Sequence, residues 1–116
     1  MTDFVLDNSV TMRWCFDAGL HPFADRILEL LETREAVAFV PVLWRYEVSS
    51  VLARAQNKGF LPAYKGALFL ESLSDLPIAI DGESVDRVLT GVHQIALRYR
   101  LTSYDAAYLE IGRASC

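Results

Sequence analysis

Residues 4–10 read FVLDNSV, in which three apolar residues run directly into Asp7. A short apolar run of this kind predicts a buried strand over residues 4–7. Burying a carboxylate without a partner is strongly unfavourable, because its negative charge loses hydration. The aspartate at the end of the first predicted strand therefore needs a physical explanation.

The rest of the chain alternates between apolar runs and amphipathic segments. AVAFVP, residues 36–41, and LPIAID, residues 76–81, predict two further strands. Four helices are predicted over residues 9–18, 43–58, 62–75 and 83–100. Two more are predicted to begin at residue 22 and at a cap formed by Thr102 or Ser103. Apolar strands separated by helices indicate a parallel sheet covered on both faces, which is a three-layer α/β/α fold.

Composition limits the class of protein. The chain has 116 residues, 53% of them hydrophobic, and a formal net charge of -4, which predicts one folded domain without a global attraction to nucleic acid. No apolar run approaches the roughly 20 residues that cross a bilayer, and the N-terminus does not resemble a signal peptide. Cys15 and Cys116 lie far apart in sequence. We therefore expect a protein without a disulfide framework and without membrane association. We expect it to reside in the reducing cytoplasm.

Two more acidic residues lie at unexpected positions. Glu47 is at the margin of the apolar stripe in WRYEVSSVLARA, residues 44–55, and Asp105 is in the first turn of the last helix. Ligands of open parallel sheets bind beyond the carboxyl ends of the strands, which is where Asp7 is expected. At about 4 Å and an effective dielectric near 20, each pair of carboxylates would repel by about 4 kcal/mol. The cluster therefore requires a divalent cation or protonation, and oxygen ligands favour Mg²⁺ or Mn²⁺.

Each acid taken alone also has an ordinary structural explanation. Asp7 can satisfy backbone groups in a strand-to-helix turn, Glu47 can be a surface residue, and Asp105 can stabilise a helix N-terminus. A phospho-acceptor domain with Asp7 as the nucleophile is a further alternative. Such domains usually carry a lysine near the site on a later strand end, and none closely follows LPIAID. His21 and His93 are interpreted as surface or packing residues, and Cys15 as a small core residue.

Three segments resemble a known family. The chain is similar to the PIN domain, in particular to the VapC-like toxins of type II toxin–antitoxin systems. The segments that carry the similarity are, in this order and spacing, FVLDNSVTMRW, VPVLWRYEVSSVLARA and LTSYDAAYLE. The resemblance covers residues 4–110 and implies a Rossmann-like fold and a Mg²⁺- or Mn²⁺-dependent endoribonuclease. It implies that Asp7, Glu47 and Asp105 are catalytic metal ligands and that Ser9 orients Asp7. It also implies an RNA substrate, a cognate antitoxin and a homodimer.

The end of the chain departs from the family. PIN domains continue into another strand with a fourth acidic residue and then a further helix, which predicts that the nuclease domain over residues 1–110 is incomplete. Residues 111–116, IGRASC, do not resume the apolar pattern, and Gly112 weakens a helix there. The nucleotide sequence of a sequencing-library adapter, translated as if it belonged to the gene, can encode this tail, which does not look native. A natural truncation and a frameshift are alternative explanations. The expected consequence is an impaired nuclease, or a non-catalytic module that binds RNA or protein.

Two sets of side chains are candidates for contacts with partners. Basic residues that could contact phosphate are Arg13, Arg45, Arg54, Lys58, Arg98 and Arg100, although each is also compatible with a solvated helix face. Aromatic residues that could bind an antitoxin are Trp14, Phe16, Trp44 and Tyr46, although aromatic residues at this spacing also form cores.

Overall fold

Three parallel strands lie at the centre of the protein. In the computed structural model, which describes residues 2–114, the strands β1 (Thr2–Val5), β2 (Ala36–Val40) and β3 (Ile78–Ile80) pair in the order β1-β2-β3. Phe4 lies opposite Ala38, which in turn lies opposite Ile78. The predicted α/β fold with a parallel sheet is confirmed.

Helices follow each strand. Their bounds are α1 (Asn8–Phe16), α2 (Pro22–Glu32), α3 (Val42–Asn57), α4 (Ala63–Ser74), α5 (Glu83–Asp86), α6 (His93–Tyr99) and α7 (Ser103–Ala114), with a π-helical segment (Val88–Val92) between α5 and α6. None of the helices in the described residues is long and apolar enough to cross a membrane.

The helices cover both faces of the sheet. Successive side chains of a strand point to opposite faces, so Phe4 and Val5 face different layers. Phe4 packs on the core formed with the first helices, which contains Leu6, Trp14, Ala24, Leu31, Ala38, Val40, Trp44, Val48, Leu52, Leu61 and Leu73. Val5 faces α7, because a Cβ built on Gly112 would lie 3.8 Å from its Cγ2. This arrangement gives the three layers that the sequence predicts.

The continuous helix predicted over residues 83–100 is wrong. The backbone leaves the helical conformation at Arg87, passes through the π-helical segment, and ends α6 at Arg100 with a left-handed φ of 56°. Gly91 weakens helix formation in this stretch, and the Arg87 side chain bonds to Asp81 and Glu110. Tertiary contacts therefore override the helical pattern. Four apolar residues that a continuous amphipathic helix would place on one side are exposed, namely Val85, Val88, Leu89 and Tyr99.

Smaller differences occur elsewhere. β1 ends at Val5 rather than at residue 7, because Asp7 is the N-cap of α1. Leu68 of α4, which was expected to face a core, is exposed. Gly112 lies within α7, and its neighbour Ile111 is buried. The predicted tail extends beyond the described residues, since Ser115 and Cys116 lie outside them, and its origin stays a prediction.

A buried hydrogen bond joins α1 to α3. The Trp44 indole N–H donates to the Thr11 hydroxyl at 3.0 Å, and Thr11 is fully buried. The Thr11 hydroxyl in turn donates to the backbone carbonyl of Asp7 at 3.4 Å. The contact therefore links the first turn of α3 to the residue that begins α1.

We expect Thr11→Val to lower the free energy of unfolding by about 1–3 kcal/mol, because valine keeps the shape but leaves the indole N–H without an acceptor. Urea denaturation followed by tryptophan fluorescence measures the change. Thr90→Val, the same chemical change at an exposed position, should alter stability by less than about 0.5 kcal/mol. Equal effects of the two substitutions would show that the indole bond contributes nothing to stability.

Candidate functional site

Asp7 begins α1 without using its side chain as a cap. Its backbone is extended, with φ −83° and ψ 145°, and its carboxylate accepts no capping hydrogen bond from a backbone N–H of the first turn. Oδ2 of Asp7 instead accepts a hydrogen bond of 2.6 Å from the Ser9 hydroxyl, and Asp7 is exposed. The contact expected of Ser9 is present, and the alternative in which the Asp7 side chain satisfies the helix backbone has no hydrogen bond to support it.

Glu47 lies one turn after Trp44 on α3 and is partly buried. Residues three apart are neighbours on a helix surface, so the bond between Trp44 and Thr11 holds Glu47 close to the start of α1. Val48, the next residue, is buried, which confirms that Glu47 borders the apolar stripe of its helix.

Asp105 lies in the first turn of α7, and its carboxylate is not needed to cap the helix. Thr102 provides the cap, because its hydroxyl accepts a hydrogen bond of 3.1 Å from the Asp105 backbone N–H. Ala106 and Ala107, which follow Asp105, are buried and anchor this end of α7. The Asp105 side chain remains exposed and available.

Tyr108 connects the three acids. Its hydroxyl donates a hydrogen bond to Oε1 of Glu47, and it lies one turn after Asp105 on α7. Burial raises the pKa of Tyr108 above its usual value, and so do the hydrogen bond to Glu47 and the negative charges of Glu47, Asp7 and Asp105. All three acids therefore act on one phenol, although they come from three different elements.

The acids do not form a preassembled metal site. Within residues 2–114, no group of three His, Cys, Asp or Glu side chains is arranged to hold a metal ion. The donor chemistry nevertheless fits Mg²⁺ or Mn²⁺, because every candidate ligand is a carboxylate oxygen. Asn8, next to Asp7, also has a buried side-chain oxygen without a hydrogen-bond partner. Asp7 and Asp105 are exposed.

A second charged cluster holds the other side of α7. The Arg87 guanidinium donates to Glu110 of α7 and, at 3.0 Å, to Oδ2 of Asp81, which follows β3. Glu110 is only 6% exposed. This cluster therefore fixes α7, the helix that carries Asp105 and Tyr108 of the candidate site.

Sequence reasoning did not single out Tyr108, Arg87 or Glu110. A signal for Glu110 exists, because it shares the buried face of α7 with Ala106, Ala107 and Ile111, at helical spacing. Asp81 follows a strand in the same way as Asp7 does, yet it binds arginine. No pattern in the sequence pairs Tyr108 with Glu47, because the two residues are 61 positions apart.

The basic candidates are distributed over the surface. Arg13 pairs with Asp17 at 2.7 Å, and the Arg98 guanidinium lies 5.5 Å from the centre of the Tyr99 ring. Arg45, Arg54, Lys58 and Arg100 are exposed. Their role in binding phosphate stays a prediction.

Apolar grooves lie away from the acids. One, of about 390 Å³, is lined by side chains of α3, α4 and β3, among them Trp44, Leu73 and Ile80. Another, of about 210 Å³, lies between α1, α2 and α4. Neither of these two grooves is lined by Asp7, Glu47 or Asp105.

Comparisons with known proteins give no family. No protein-family model matches the chain, and a search of curated proteins finds no match. The resemblance to the PIN domain therefore depends on the three quoted segments, and a function has to be inferred from the chemistry of the residues around Tyr108.

We expect Arg87→Met to lower the free energy of unfolding by about 3 kcal/mol, because it leaves the Glu110 carboxylate buried without its cation. Arg26→Met is the matched control, since Arg26 pairs with Glu29 at 3.2 Å on the exposed surface. That change should have an effect of about 0.5 kcal/mol or less. Chemical denaturation measures both, and a loss for Arg87→Met no larger than the control would contradict a structural role for this cluster.

Proposed function

We propose that this protein is a metal-dependent endoribonuclease of the PIN or VapC-like type, which hydrolyses phosphodiester bonds in RNA. The proposal is carried by one observation: the hydroxyl of Tyr108, which lies one turn after Asp105 on α7, donates a hydrogen bond to Glu47 of α3. The raised pKa of Tyr108, to which burial contributes most and the charges of Glu47, Asp7 and Asp105 also contribute, is consistent with this arrangement. In open parallel sheets, ligands bind beyond the carboxyl ends of the strands, where Asp7 follows β1 and where α3, which carries Glu47, follows β2. The three segments that resemble the PIN domain contain the same three acids.

In this proposal Asp7, Glu47 and Asp105 hold Mg²⁺ or Mn²⁺. Such an ion, when bound, offsets the repulsion between the acids and an RNA phosphate and polarises the phosphodiester. Ser9 keeps Oδ2 of Asp7 in one orientation. Asp105 is exposed, and its carboxylate has no hydrogen bond within the described residues. It is therefore the acid best suited to accept a proton from the attacking water.

An RNA substrate is compatible with the exposed side chains of Asp7 and Asp105. Single-stranded segments expose their phosphates, and the exposed basic side chains, Arg45, Arg54, Lys58 and Arg100, supply cations for them. A net charge of -4 implies that these contacts are local rather than a general attraction to nucleic acid.

The partners in this proposal are a cognate antitoxin and a second copy of the chain, in the cytoplasm. The antitoxin and the homodimer rest on the family resemblance. The cytoplasmic location rests on the two cysteines, which lie far apart in sequence. Of the four aromatic candidates, Trp14 and Trp44 are buried and are core residues, whereas Phe16 and Tyr46 are exposed. Only Phe16 and Tyr46 therefore remain candidates for an antitoxin contact.

A second candidate function is a non-catalytic module that binds RNA or protein through the same fold. The observation that favours it is the lack of a preassembled group of three metal ligands within residues 2–114. A binding module needs no such group, whereas an enzyme has to assemble it when the ion and the substrate bind. The two functions differ in whether RNA is cleaved.

Purified protein should cleave single-stranded RNA with Mg²⁺ or Mn²⁺, and EDTA should stop the reaction. Asp7→Asn, Glu47→Gln and Asp105→Asn should each reduce the rate by about 100-fold or more, because each removes a charged ligand. Asp86→Asn, at an exposed position of α5, is the control and should leave the rate unchanged. Gel analysis of a labelled RNA measures the rates.

Two results would contradict the ribonuclease. Equal cleavage by the wild-type protein and the Asp7→Asn variant would show that the activity does not come from the site that contains Asp7. RNA binding without cleavage under any metal condition would favour the binding module. An acyl phosphate on Asp7 would instead indicate the phospho-acceptor class.

A further inference from the structure

We propose that the groove between α3, α4 and β3 binds an extended, apolar peptide segment that carries one acidic residue. The segment pairs with the free edge of β3 as an additional strand and places its acidic side chain at Arg45. Asp7, Glu47 and Asp105 do not line this groove. The inference therefore goes beyond the proposed ribonuclease and does not depend on it.

β3 lies at the edge of the sheet and has a paired neighbour on one side only. On that side, the Pro77 carbonyl and the Asp81 backbone N–H bond to β2. Backbone groups alternate in direction along a strand, so Ile78 and Ile80 direct theirs away from β2. The Ile78 N–H bonds to the Leu76 carbonyl. Within residues 2–114, the Ile78 carbonyl and both backbone groups of Ile80 therefore face no other strand, and they form an edge that a further strand can extend.

The groove lies directly beside this edge. It has a volume of about 390 Å³, and its lining includes Ile78 and Ile80 together with Trp44, Leu73 and Leu76. Ile78 and Ile80 are two positions apart, so their side chains share the face of the sheet on which α3 and α4 pack. A strand added to β3 directs every second side chain to the same face. The backbone bonds then contribute affinity, and the groove selects apolar side chains at alternate positions.

The groove has one positive charge in its lining. Arg45 is exposed, and its guanidinium forms no ion pair with a carboxylate of the described residues. A single cation in an apolar groove matches one carboxylate of a peptide, whereas RNA presents a phosphate at every nucleotide. Phe16 and Tyr46, the candidates for an antitoxin contact, are not part of this lining.

The test measures the binding of labelled synthetic peptides to the full chain by fluorescence anisotropy. The peptides are about six residues long, threonine alternates in them with valine, isoleucine, leucine or phenylalanine, and one end carries a glutamate. Replacing the glutamate of the tightest peptide with lysine should weaken binding by about 10-fold, because attraction to Arg45 becomes repulsion. N-methylation of every second amide should weaken it by about 10-fold in the register that faces β3, because the strand hydrogen bonds are lost.

Variants of the chain locate the site. Arg45→Gln should remove the preference for glutamate over lysine, whereas Arg54→Gln, at an exposed position later on α3, should preserve it. Ser74→Trp should weaken peptide binding by about 10-fold, because the indole fills the groove. Ser72→Trp is the matched control. Both serines are exposed and donate to a backbone carbonyl of α4, but Ser72 lines the other groove.

Several results would overturn the inference. They are no binding of any peptide at about 1 mM, equal affinity for the glutamate and lysine peptides, and full binding after N-methylation in either register. Displacement of the bound peptide by single-stranded oligouridine would assign the groove to RNA instead. Thermal melts show whether each variant folds, and the comparisons between peptides test the proposal on the unmodified chain. None of these outcomes bears on RNA cleavage, so the ribonuclease proposal stands or fails separately.

Discussion

The hydrogen bond from the Trp44 indole to the Thr11 hydroxyl joins the first turns of two helices that follow adjacent parallel strands. The pairing of β1 with β2 brings the starts of α1 and α3 to the same edge of the sheet. The buried indole then sets the distance between them. Asp7 precedes Thr11 by one turn and Glu47 follows Trp44 by one turn, so this single contact links the positions of two acids on separate helices.

The third acid depends on α7, which is held by contacts from Tyr108 and Glu110 in the middle of the helix. Tyr108 bonds to Glu47 on α3, and Glu110 bonds to Arg87, which also bonds to Asp81 after β3. The two contacts differ in charge. The positive charge of Arg87 offsets one of the two negative charges of Asp81 and Glu110, whereas the Ser9 and Tyr108 hydroxyls that bond to Asp7 and Glu47 carry no charge. This difference is the main physical reason for interpreting the second group of acids as a site.

Much of the architecture follows from local sequence patterns. The apolar runs near residues 4, 36 and 78 each form a strand, because no other local structure suits short, continuous apolar segments bounded by turns. The break at Arg87 could not be predicted from periodicity, since the Arg87 side chain bonds to Glu110, which is 23 positions away in the sequence. Exposure of Leu68 and Leu89 likewise depends on how the helices pack, and a helical pattern does not contain that information.

The sequence by itself determined the α/β class and the parallel sheet, because short apolar runs and amphipathic segments are local features. It also pointed to Asp7, Glu47 and Asp105 through their positions along the elements, and to Ser9 through the family resemblance. Only the tertiary structure decided that Tyr108 bonds to Glu47, that Thr11 receives the Trp44 indole, and that Arg87 neutralises Glu110. Each of these contacts joins residues more than 20 positions apart. Their partners are fixed by the packing of helices on the sheet, so they cannot be read from residue spacing along the chain.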